Sequence, residues 1–491
     1  MNMYPLSLLE AKVASEKLVL CMDSRKAVPG CVFVALPGSR TNGAKYIRDA
    51  LSRGASWVVC TPESAAAVPV DNKAAMVDCA DPRQALGLLA RARYGTGNGT
   101  GRPVFPVVGV TGTNGKTTTT YLLEHIFASA GRRTGVLGTV SYRWPGHTEA
   151  APMTTPDCLD LHASLAAMRE VGVDIAFMEV SSHALDQNRV AGIDFAGAIF
   201  TNLTQDHLDY HGSMENYFQA KRRLFFDDSD RPYRRSAAVC TDGEWGLVLG
   251  RSLPDAICFG LAERPAGVGR YMRGQVVSSG TSGLHMRMSF EGREWDVTSP
   301  LVGNFNAENL LGVQAITLGM GLGPEAFACL GTFCGVSGRL ERIANPQGLD
   351  IFVDYAHTPD ALINVLKALR GVGFARIVTV FGCGGDRDRT KRPLMGEAVA
   401  EFSDVAVLTS DNPRHEDPEA IMADVMPGLA GAKNVIAEVD RREAIRRALG
   451  LLQPGDALLV AGKGHESTQQ IGDVKHPFSD QKVLRELLGC A

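Results

Sequence analysis

The segment VVGVTGTNGKTTTT at residues 107–120 has the residue types and spacing of a phosphate-binding loop. An apolar strand runs into a glycine loop, which runs into a threonine-rich helix start. The N–H groups of such a loop bind anions, Lys116 can reach the β- and γ-phosphates of a nucleotide, and Thr117 can ligate Mg²⁺. Val110 stands where the common GxxxxGK[ST] pattern has its first glycine. A simple glycine turn would not explain a lysine followed by four threonines, so the sequence predicts nucleotide binding.

Two loops that follow later predicted strands could hold a metal ion. Glu179 ends one strand and His207 follows the next, and a carboxylate with an imidazole can bind a divalent cation. A single histidine is more often a hydrogen-bonded loop residue, but the density of polar side chains favours a functional site. The chain has no NKxD segment, which argues against a GTPase. The other polar residues of the two loops are Ser181, Gln187, Arg189, Asp206, Asp209 and His211.

The segment GSMENYFQAKRRLFF predicts a helix whose apolar stripe contains Lys221. A lysine on a buried face usually extends its amine to the surface. Alternatively, a lysine amine with a lowered pKa is uncharged and can take up CO₂ as a carbamate, which is an anionic metal ligand. Both interpretations are open from the residues alone. The apolar members of the predicted stripe are Met214, Tyr217, Phe218, Leu224 and Phe225.

Apolar strands and helices alternate along the chain around these residues, which predicts an α/β fold with parallel sheets. We expect three domains. They are a small N-terminal α/β module at 1–101, a central P-loop parallel-sheet ATPase domain at 102–340 and a Rossmann-like doubly wound domain at 341–491. The glycine-rich stretch at 94–103 reads as a linker. Residues 255–300 predict an antiparallel insert or edge hairpins.

The overall composition excludes several classes of protein. The 491 residues include 50 basic and 54 acidic side chains, giving a net charge of -4 without a long basic tract, which disfavours nucleic-acid binding. Eleven cysteines without a CxxC pair argue against a disulfide framework and a zinc ribbon. Glu10 and Lys12 interrupt any signal-peptide pattern, and no apolar stretch approaches the ~18 residues of a membrane span. We expect a cytoplasmic monomer without membrane insertion.

Several motifs resemble those of the Mur ligases, the ATP-dependent amide-forming enzymes of peptidoglycan synthesis, and the resemblance spans the chain. They are DSR, TGTNGKTT, MTTPD, EVSSHAL, NLTQDHLDYHG, the AK of QAKRRLF, GNFNAEN, GRLER, VDYAHTP and AGKGHE. The resemblance implies ATP and Mg²⁺ as cofactors and UDP-N-acetylmuramoyl-L-Ala-D-Glu as a substrate.

The resemblance also implies roles for the residues that match the family motifs. ATP would be bound by Gly112, Thr113, Asn114, Gly115, Lys116, Thr117, Thr118, Asn306, Arg339, Asp354 and His357. The UDP-muramoyl dipeptide would contact Ser24, Thr154, Thr155, Ser181, Gln187 and Arg189. The metal ligands would be Thr117, Glu179, His207 and Lys221, with Lys221 as an N6-carboxylysine. The catalytic residues would be Lys116, Glu179, His207 and Lys221.

The resemblance also implies that two loops of the last domain bind the amino-acid substrate. In the family, DNPR is the pattern of enzymes that add meso-2,6-diaminopimelate, whereas lysine-adding relatives replace this arginine with a small residue. The physical reason is that diaminopimelate carries a second carboxylate, and the Arg414 guanidinium can pair with it bidentately. Lysine should be rejected because the charge of Arg414 would be left unpaired. The resemblance places Arg387, Asp411, Asn412, Pro413, Arg414, Gly464 and Glu466 at this substrate.

The implied chemistry is phosphorylation of the D-Glu γ-carboxylate by ATP, followed by attack of the diaminopimelate amine on the acyl phosphate. A hinge near residues 338–343 would let the last domain close and exclude water. Three alternatives share parts of this pattern: the same ligase acting on L-lysine, a folylpolyglutamate-synthase-like ligase, and a P-loop ATPase that performs no ligation. An amine requirement for ATP turnover distinguishes the ligases from the ATPase.

Overall fold

The computed structural model describes residues 3–38, 41–66, 74–97, 105–227, 229–233 and 235–490. The expected domain boundary at 101/102 and most of the predicted linker at 94–103 lie outside these residues. The chain divides into two compact units. The first unit contains Met1–Thr111, Gly131–Ala198 and Gln219–Arg235, and the second contains Gly112–Ala130, Ile199–Phe218 and Ser236–Ala491.

The N-terminal segment of the first unit is a four-stranded parallel sheet with helices, as the sequence predicts. The strands pair in the order β1-β2-β3-β4, so each neighbour in sequence is a neighbour in the sheet. Asp81 caps α4 by accepting hydrogen bonds from the N–H groups of Arg83 and Gln84. The elements are α1 Leu6–Glu16, β1 Leu20–Cys21, β2 Val32–Val34, α2 Ile47–Ser52, β3 Trp57–Cys60, α3 Pro62–Ala66, β4 Ala75–Asp78 and α4 Pro82–Tyr94.

The middle of the chain contributes strands to both units. Within the first unit, β9 pairs in parallel with β5 and β6, and β7 and β8 extend β6 as an antiparallel hairpin. The elements from residue 107 to 211 are β5 Val107–Thr111, α5 Lys116–Ser129, β6 Thr134–Leu137, β7 Ser141–Trp144, β8 His147–Ala150, α6 Cys158–Glu170, β9 Ile175–Glu179, α7 Ser182–Asp186, β10 Gly197–Phe200 and α8 Leu208–His211.

The second unit continues with strands that change from parallel to antiparallel pairing. The pairs β11·β12 and β12·β13 are parallel, whereas β13, β14 and β15 form an antiparallel meander. The antiparallel hairpins predicted within 255–300 are therefore confirmed. The elements from residue 214 to 319 are α9 Met214–Arg222, whose residues from Gln219 onward belong to the first unit, β11 Ser236–Cys240, α10 Glu244–Arg251, β12 Ile257–Gly260, β13 Arg270–Gly280, β14 Gly283–Phe290, β15 Arg293–Ser299 and α11 Asn304–Gly319.

The apolar stripe predicted after residue 213 is wrong at its end, because α9 stops at Arg222. The N–H groups of Leu224 and Phe225 donate to the carbonyls of Lys221 and Arg222, three residues back, which tightens the chain out of the α-helix. Leu224 and Phe225 are nevertheless buried. They reach the core through this turn and not along a helical stripe.

The C-terminal part of the second unit is a doubly wound sheet in the order β16-β17-β21-β18-β19-β20. All its pairs are parallel except β16·β17. Alternate strand residues enter two cores, one shared with α12, α13 and α14 and the other with α15 and α16. The elements are β16 Glu341–Arg342, β17 Asp350–Asp354, α12 Pro359–Val372, β18 Ile377–Phe381, α13 Lys391–Phe402, β19 Val405–Leu408, α14 Pro418–Val425, β20 Val435–Ala437, α15 Arg441–Gly450, β21 Ala457–Ala461, β22 Thr468–Ile471, β23 Val474–Pro477 and α16 Asp480–Leu488.

All eleven cysteines are free thiols, as expected for a chain without a disulfide framework. Among the helices of the described residues, none combines the length and the apolar character that crossing a membrane requires.

Candidate active site

The glycine loop at 112–115 in the second unit has a backbone that only glycine tolerates at two positions. Gly112 and Gly115 have φ of 148° and 86°. A Cβ at Gly112 would stand 1.9 Å from Oγ1 of Thr201, and one at Gly115 would stand 2.3 Å from Oδ1 of Asn309. The sequence "GTNGK" therefore folds into a tight cradle at the N-terminus of α5, the geometry that binds phosphate.

The loop after β10 fixes the shape of this cradle. The Asn114 N–H donates to Oδ1 of Asn202 at 2.9 Å, and the Thr201 hydroxyl donates to the Asn114 carbonyl at 2.6 Å. The Thr113 N–H donates to the Asn202 carbonyl at 3.0 Å. A second loop, which is distant in sequence, thus holds the residues that are predicted to bind phosphate.

Lys116 and Thr117 lie at the start of α5, where the sequence places them. The Lys116 ammonium is 2.9 Å from the Gly112 carbonyl and 2.8 Å from the Thr113 carbonyl, so it folds over the loop itself. Arg339 donates to Oγ1 of Thr117 at 3.2 Å. The structure therefore places Arg339, the expected nucleotide residue of the GRLER motif, next to the phosphate loop.

The other expected nucleotide residues occupy buried and exposed positions of the same unit. Asn306 is buried and receives a hydrogen bond from Asn309 at 3.2 Å. Asp354 accepts from the N–H groups of Leu340 and Ala356 at 2.6 and 2.7 Å, and burial raises its pKa against the opposing effect of Arg339. Thr118 is buried within α5, and His357 is exposed with Nδ1 2.7 Å from the Tyr355 carbonyl.

Asp360 is a residue of this site that sequence reasoning missed. Its Oδ2 accepts hydrogen bonds from Nδ2 of Asn114 at 3.0 Å, from the Thr204 hydroxyl at 2.8 Å and from Asn364 at 3.2 Å. It therefore ties the first turn of α12 to the phosphate loop and to the loop after β10. Its place directly after the VDYAHTP motif was the available signal.

In the first unit, Glu179 lies at the centre of a polar cluster. It is 1% exposed, and its two carboxylate oxygens accept from the Thr139 N–H and the Thr139 hydroxyl at 2.8 and 2.9 Å. The Thr155 hydroxyl donates to the Glu179 carbonyl at 2.9 Å, and the Ser181 N–H donates to the Thr155 hydroxyl at 3.0 Å. Oγ1 of Thr154 is 3.1 Å from that of Thr139. The structure thus brings four predicted residues together.

The remaining residues expected at the UDP-muramoyl dipeptide fall into two places. Arg189 donates to Oε1 of Gln187 at 2.6 and 3.0 Å and to the Thr155 carbonyl at 3.4 Å, which joins both to the Glu179 cluster. Ser24 lies apart in the N-terminal segment, where its hydroxyl bonds to Asp49 and, with Arg53, holds the pKa of that carboxyl below its usual value.

The four expected metal ligands are distributed over both units. Glu179 and Lys221 belong to the first unit, and Thr117 and His207 to the second. Lys221 is 1% exposed, so the interpretation that its amine extends to the surface is wrong, because the side chain is packed within the core. His207 is exposed in a left-handed backbone conformation, φ 53°, with Nε2 3.4 Å from Asp206.

The donor chemistry of these four residues suits a hard divalent cation. A carboxylate, an imidazole, a hydroxyl and a carbamate would supply mainly oxygen ligands, which Mg²⁺ prefers. Within the described ranges, no group of three or more His, Cys, Asp or Glu side chains is arranged to hold a metal ion. The expected set contains only two residues of those types, Glu179 and His207.

The two loops expected to bind the amino acid, 382–390 and 409–417, pack directly on each other. The Gly385 N–H donates to the Asn412 carbonyl at 2.9 Å, and Nη1 of Arg414 donates to the Gly385 carbonyl at 2.6 Å. Arg414 adopts φ of 50°, and its backbone pairs with the strand β22 at Ile471. Arg387 is exposed, whereas Asp411 and Pro413 are buried beneath the loops.

A buried lysine that sequence reasoning missed joins these loops to the AGKGHE motif. Lys463 is fully buried, and its ammonium is 3.0 Å from both Oδ1 of Asn412 and Oε2 of Glu466. Nδ2 of Asn412 also donates to Oε2 of Glu466 at 2.8 Å. Gly464 follows with its carbonyl accepting from Gln481 at 2.9 Å. The structure thus brings Asn412, Gly464 and Glu466 to one place, with Lys463 orienting the carboxylate.

His415 bridges the loops at the surface. Its Nδ1 is 2.8 Å from Asp386 on the first loop, and its Nε2 is 3.2 Å from Asp473 in the turn of the β22–β23 hairpin. Hydrogen bonds to these two carboxylates raise the pKa of His415. The imidazole therefore connects three separate turns at the two loops expected to bind the amino acid.

Three family models match successive segments of the chain. The Mur ligase family, catalytic domain, matches residues 19–94, the Mur ligase middle domain matches 110–317, and the Mur ligase, glutamate ligase domain, matches 338–464. These segments contain the N-terminal sheet, the phosphate loop and the paired loops, respectively.

Named relatives resemble the chain over its length. The UDP-N-acetylmuramoyl-L-alanyl-D-glutamate--2,6-diaminopimelate ligase of Lawsonia intracellularis is 59% identical, over 100% of both chains. The ligase of the same name from Aquifex aeolicus is 38% identical, over 96% of this chain and 93% of the relative. A solved structure of a ligase with that name has a TM-score of 0.67 at 34% identity, covering 96% of this chain and 94% of that chain.

More distant solved structures share the fold. The MurF ligase of Thermotoga maritima, solved in complex with ADP, has a TM-score of 0.58 at 18% identity and covers 91% of this chain and 94% of that chain. The fold, the motifs and the full-length identity to the Lawsonia relative agree, and this chain belongs to the Mur ligase family.

Proposed function

We propose that this protein adds meso-2,6-diaminopimelate to the D-Glu γ-carboxylate of UDP-N-acetylmuramoyl-L-Ala-D-Glu, with ATP converted to ADP and phosphate. The observation that carries the proposal is the set of contacts beyond the carboxyl ends of β18, β19 and β21, where Arg414 bonds to Gly385 and Asn412 bonds to Glu466. Ligands of open parallel sheets bind at this edge. The 59% identity to a ligase named for this reaction supports it.

In the first step the phosphate loop binds ATP and the γ-phosphoryl group passes to the γ-carboxylate. Lys116 leaves the Gly112 and Thr113 carbonyls and neutralises the phosphates, while Arg339 at Thr117 adds a second positive charge. Phosphoryl transfer depends mainly on such positioning and neutralisation. Bound Mg²⁺ would lower the repulsion between the two anionic reactants. Its proposed ligands are Thr117, Glu179, His207 and Lys221 as a carbamate.

The UDP-muramoyl dipeptide is proposed to contact the polar cluster of the first unit. Thr154, Thr155, Ser181, Gln187 and Arg189 offer hydroxyls, an amide and a guanidinium for its phosphates and carboxylates. Ser24 is proposed to contact the same UDP-muramoyl dipeptide from the N-terminal segment. The resemblance to the family motifs supports these assignments.

In the second step the diaminopimelate amine attacks the acyl phosphate and phosphate leaves. Arg414 and Arg387 would pair with the distal carboxylate, and Glu466 would accept a hydrogen bond from the distal ammonium. Lys463 and Asn412 both bond to Oε2 of Glu466, which orients its carboxylate. Lysine lacks the distal carboxylate, so the guanidinium groups would stay unpaired and the discrimination would be strong.

We also propose the three-domain organisation, 1–101, 102–340 and 341–491, with the last domain closing about a hinge at 338–343. Left-handed conformations at Gly338 and Leu340, φ 69° and 44°, support a hinge there. Small-angle scattering with and without ATP and the dipeptide substrate tests it, and coincident profiles would refute it. The protein would act as a cytoplasmic monomer.

The test of the reaction is phosphate release with ATP, Mg²⁺ and UDP-N-acetylmuramoyl-L-Ala-D-Glu. We expect turnover with meso-diaminopimelate and little with L-lysine or without an amine. Equal turnover with lysine would remove the specificity argument, and amine-independent hydrolysis would indicate an ATPase. Folylpolyglutamate synthase activity would appear instead with a folate and L-glutamate as substrates.

A further inference from the structure

Arg392 is a buried arginine beneath the two amino-acid loops, and the proposed reaction gives it no role. It is the second residue of α13, directly after the loop 382–390. Its side chain is 1% exposed. A fully buried guanidinium requires an explanation, because desolvating a cation is unfavourable unless its partners compensate.

The guanidinium holds the second loop by a bidentate ion pair. Nη2 and Nη1 of Arg392 donate to the two oxygens of Glu416 at 2.7 and 3.0 Å. Nη1 also donates to Asp424 at 2.8 Å, within α14. Such fork-to-carboxylate pairs fix both distance and orientation.

The same carboxylate holds the first loop. Oε1 of Glu416 accepts a hydrogen bond from the Asp386 N–H at 2.6 Å. Nη2 of Arg392 also lies 3.5 Å from the Gly384 carbonyl. One guanidinium therefore links the loop 382–390 to the loop 409–417, in addition to the direct bonds between them.

A purely stabilising role explains the geometry poorly. The buried Nε of Arg392 has no hydrogen-bond partner among the described residues. The side chains of Glu416 and Asp424 are 24% and 32% exposed, so water competes for both carboxylates. An apolar side chain would fill the same space without an unsatisfied buried donor.

The relative position of the loops decides where Arg414 points. Its Nη1 bonds to the Gly385 carbonyl on the first loop, and its backbone belongs to the second. Because the guanidinium is bonded to one loop and the backbone belongs to the other, a shift between the loops would move the guanidinium from its present position. We propose that Arg392 is a positioning residue that sets the selectivity for an amino-acid substrate with a distal carboxylate, an inference that rests on the proposed function.

The test compares Arg392→Met, Arg392→Lys and Glu416→Gln with the wild type. We expect the KM for meso-diaminopimelate to rise at least about tenfold in Arg392→Met, because a displacement of about 1 Å at a binding group can lower rates by two orders of magnitude. The KM values for ATP and for the UDP-linked substrate should stay within about twofold of the wild-type values, because the substitution acts only on the two amino-acid loops. Turnover with L-lysine relative to diaminopimelate should rise.

Arg376→Lys is the matched control. Arg376 also forms a bidentate pair, with Asp456, but it lies just before β18, at the edge of the sheet opposite the two loops. Its substitution should leave every KM unchanged. Arg392→Lys keeps the charge but not the fork, so it should restore part of the affinity lost in Arg392→Met.

The outcomes separate this inference from the proposed function. If the wild type needs no diaminopimelate for phosphate release, the proposed function fails. If the wild type does need it and the Arg392 and Glu416 variants keep its KM and selectivity, only the inference fails. The side chain of Glu416 is partly exposed. A general loss of activity in Glu416→Gln, without a selective change in the KM for diaminopimelate, would also refute a positioning role.

Discussion

Replacement of His162 by glutamine should remove a specific part of the pH dependence of stability. The imidazole is fully buried in α6, with Nδ1 2.6 Å from the Thr96 hydroxyl and Nε2 3.0 Å from the Ala191 carbonyl. Since a carbonyl only accepts, we assign the proton of the neutral ring to Nε2. Burial lowers the pKa of His162 from 6.5 to about 4.

The sign and size of the effect follow from proton linkage. Below pH 6.5 the unfolded chain binds a proton that the folded chain refuses, so stability is complete above that pH and falls until about pH 4. The slope is about 1.4 kcal/mol per pH unit, which gives a loss of roughly 2 kcal/mol between pH 7.5 and 5. The affected contact joins the end of α4 to Ala191, near the residues expected to bind the dipeptide.

Hydrogen exchange of the α6 amides measures this loss locally, which avoids treating the long chain as two-state. The free energy of opening should fall by about 2 kcal/mol more in the wild type than in His162→Gln on going from pH 7.5 to 5. Other titrating groups affect both proteins and cancel in the difference. Equal pH dependence in the two proteins would refute the argument.

The remaining predictions concern activity. Gly115→Ala should abolish most ATP-dependent phosphate release, because a Cβ would stand 2.3 Å from Asn309 at φ 86°; an unchanged KM for ATP would contradict this. Asp360→Asn should raise the KM for ATP severalfold by weakening the charged acceptor of Asn114, with the KM for diaminopimelate as the internal control. His415→Gln should flatten the pH profile of the KM for diaminopimelate. In the wild type that KM should increase as pH rises through the raised pKa of His415 and the bridging charge is lost.

The sequence predicts the alternation of elements well, because each strand and helix carries its own signal. The threonine-rich helix start predicted after the glycine loop is α5, which begins at Lys116, and the predicted alternation continues in the last domain with α12 at Pro359–Val372. The start of α12 follows from local chemistry, since the Thr358 side chain caps it and Pro359 suits its first turn. Such signals lie within a few residues of the position that they determine.

Contacts between distant residues could not be predicted in the same way. Asp360 bonds to Asn114 across 246 positions, and nothing near either residue identifies the other. Lys463 stands inside a recognised motif, but its buried pairing with Asn412 depends on two strand ends meeting in space. The end of α9 was missed because the tightening turn after Lys221 leaves the apolar spacing of the sequence intact.

The order of strands in the C-terminal sheet also has a consequence for the time course of synthesis. β21 lies between β17 and β18 and pairs with both, although it is the last of the parallel strands in sequence. A nascent chain that has not emerged beyond Ala461 therefore lacks the strand that joins the two halves of this sheet. The residues that directly follow this strand are Lys463, Gly464 and Glu466. The sheet is therefore completed, during synthesis, at almost the same time as these residues of the proposed amino-acid site emerge.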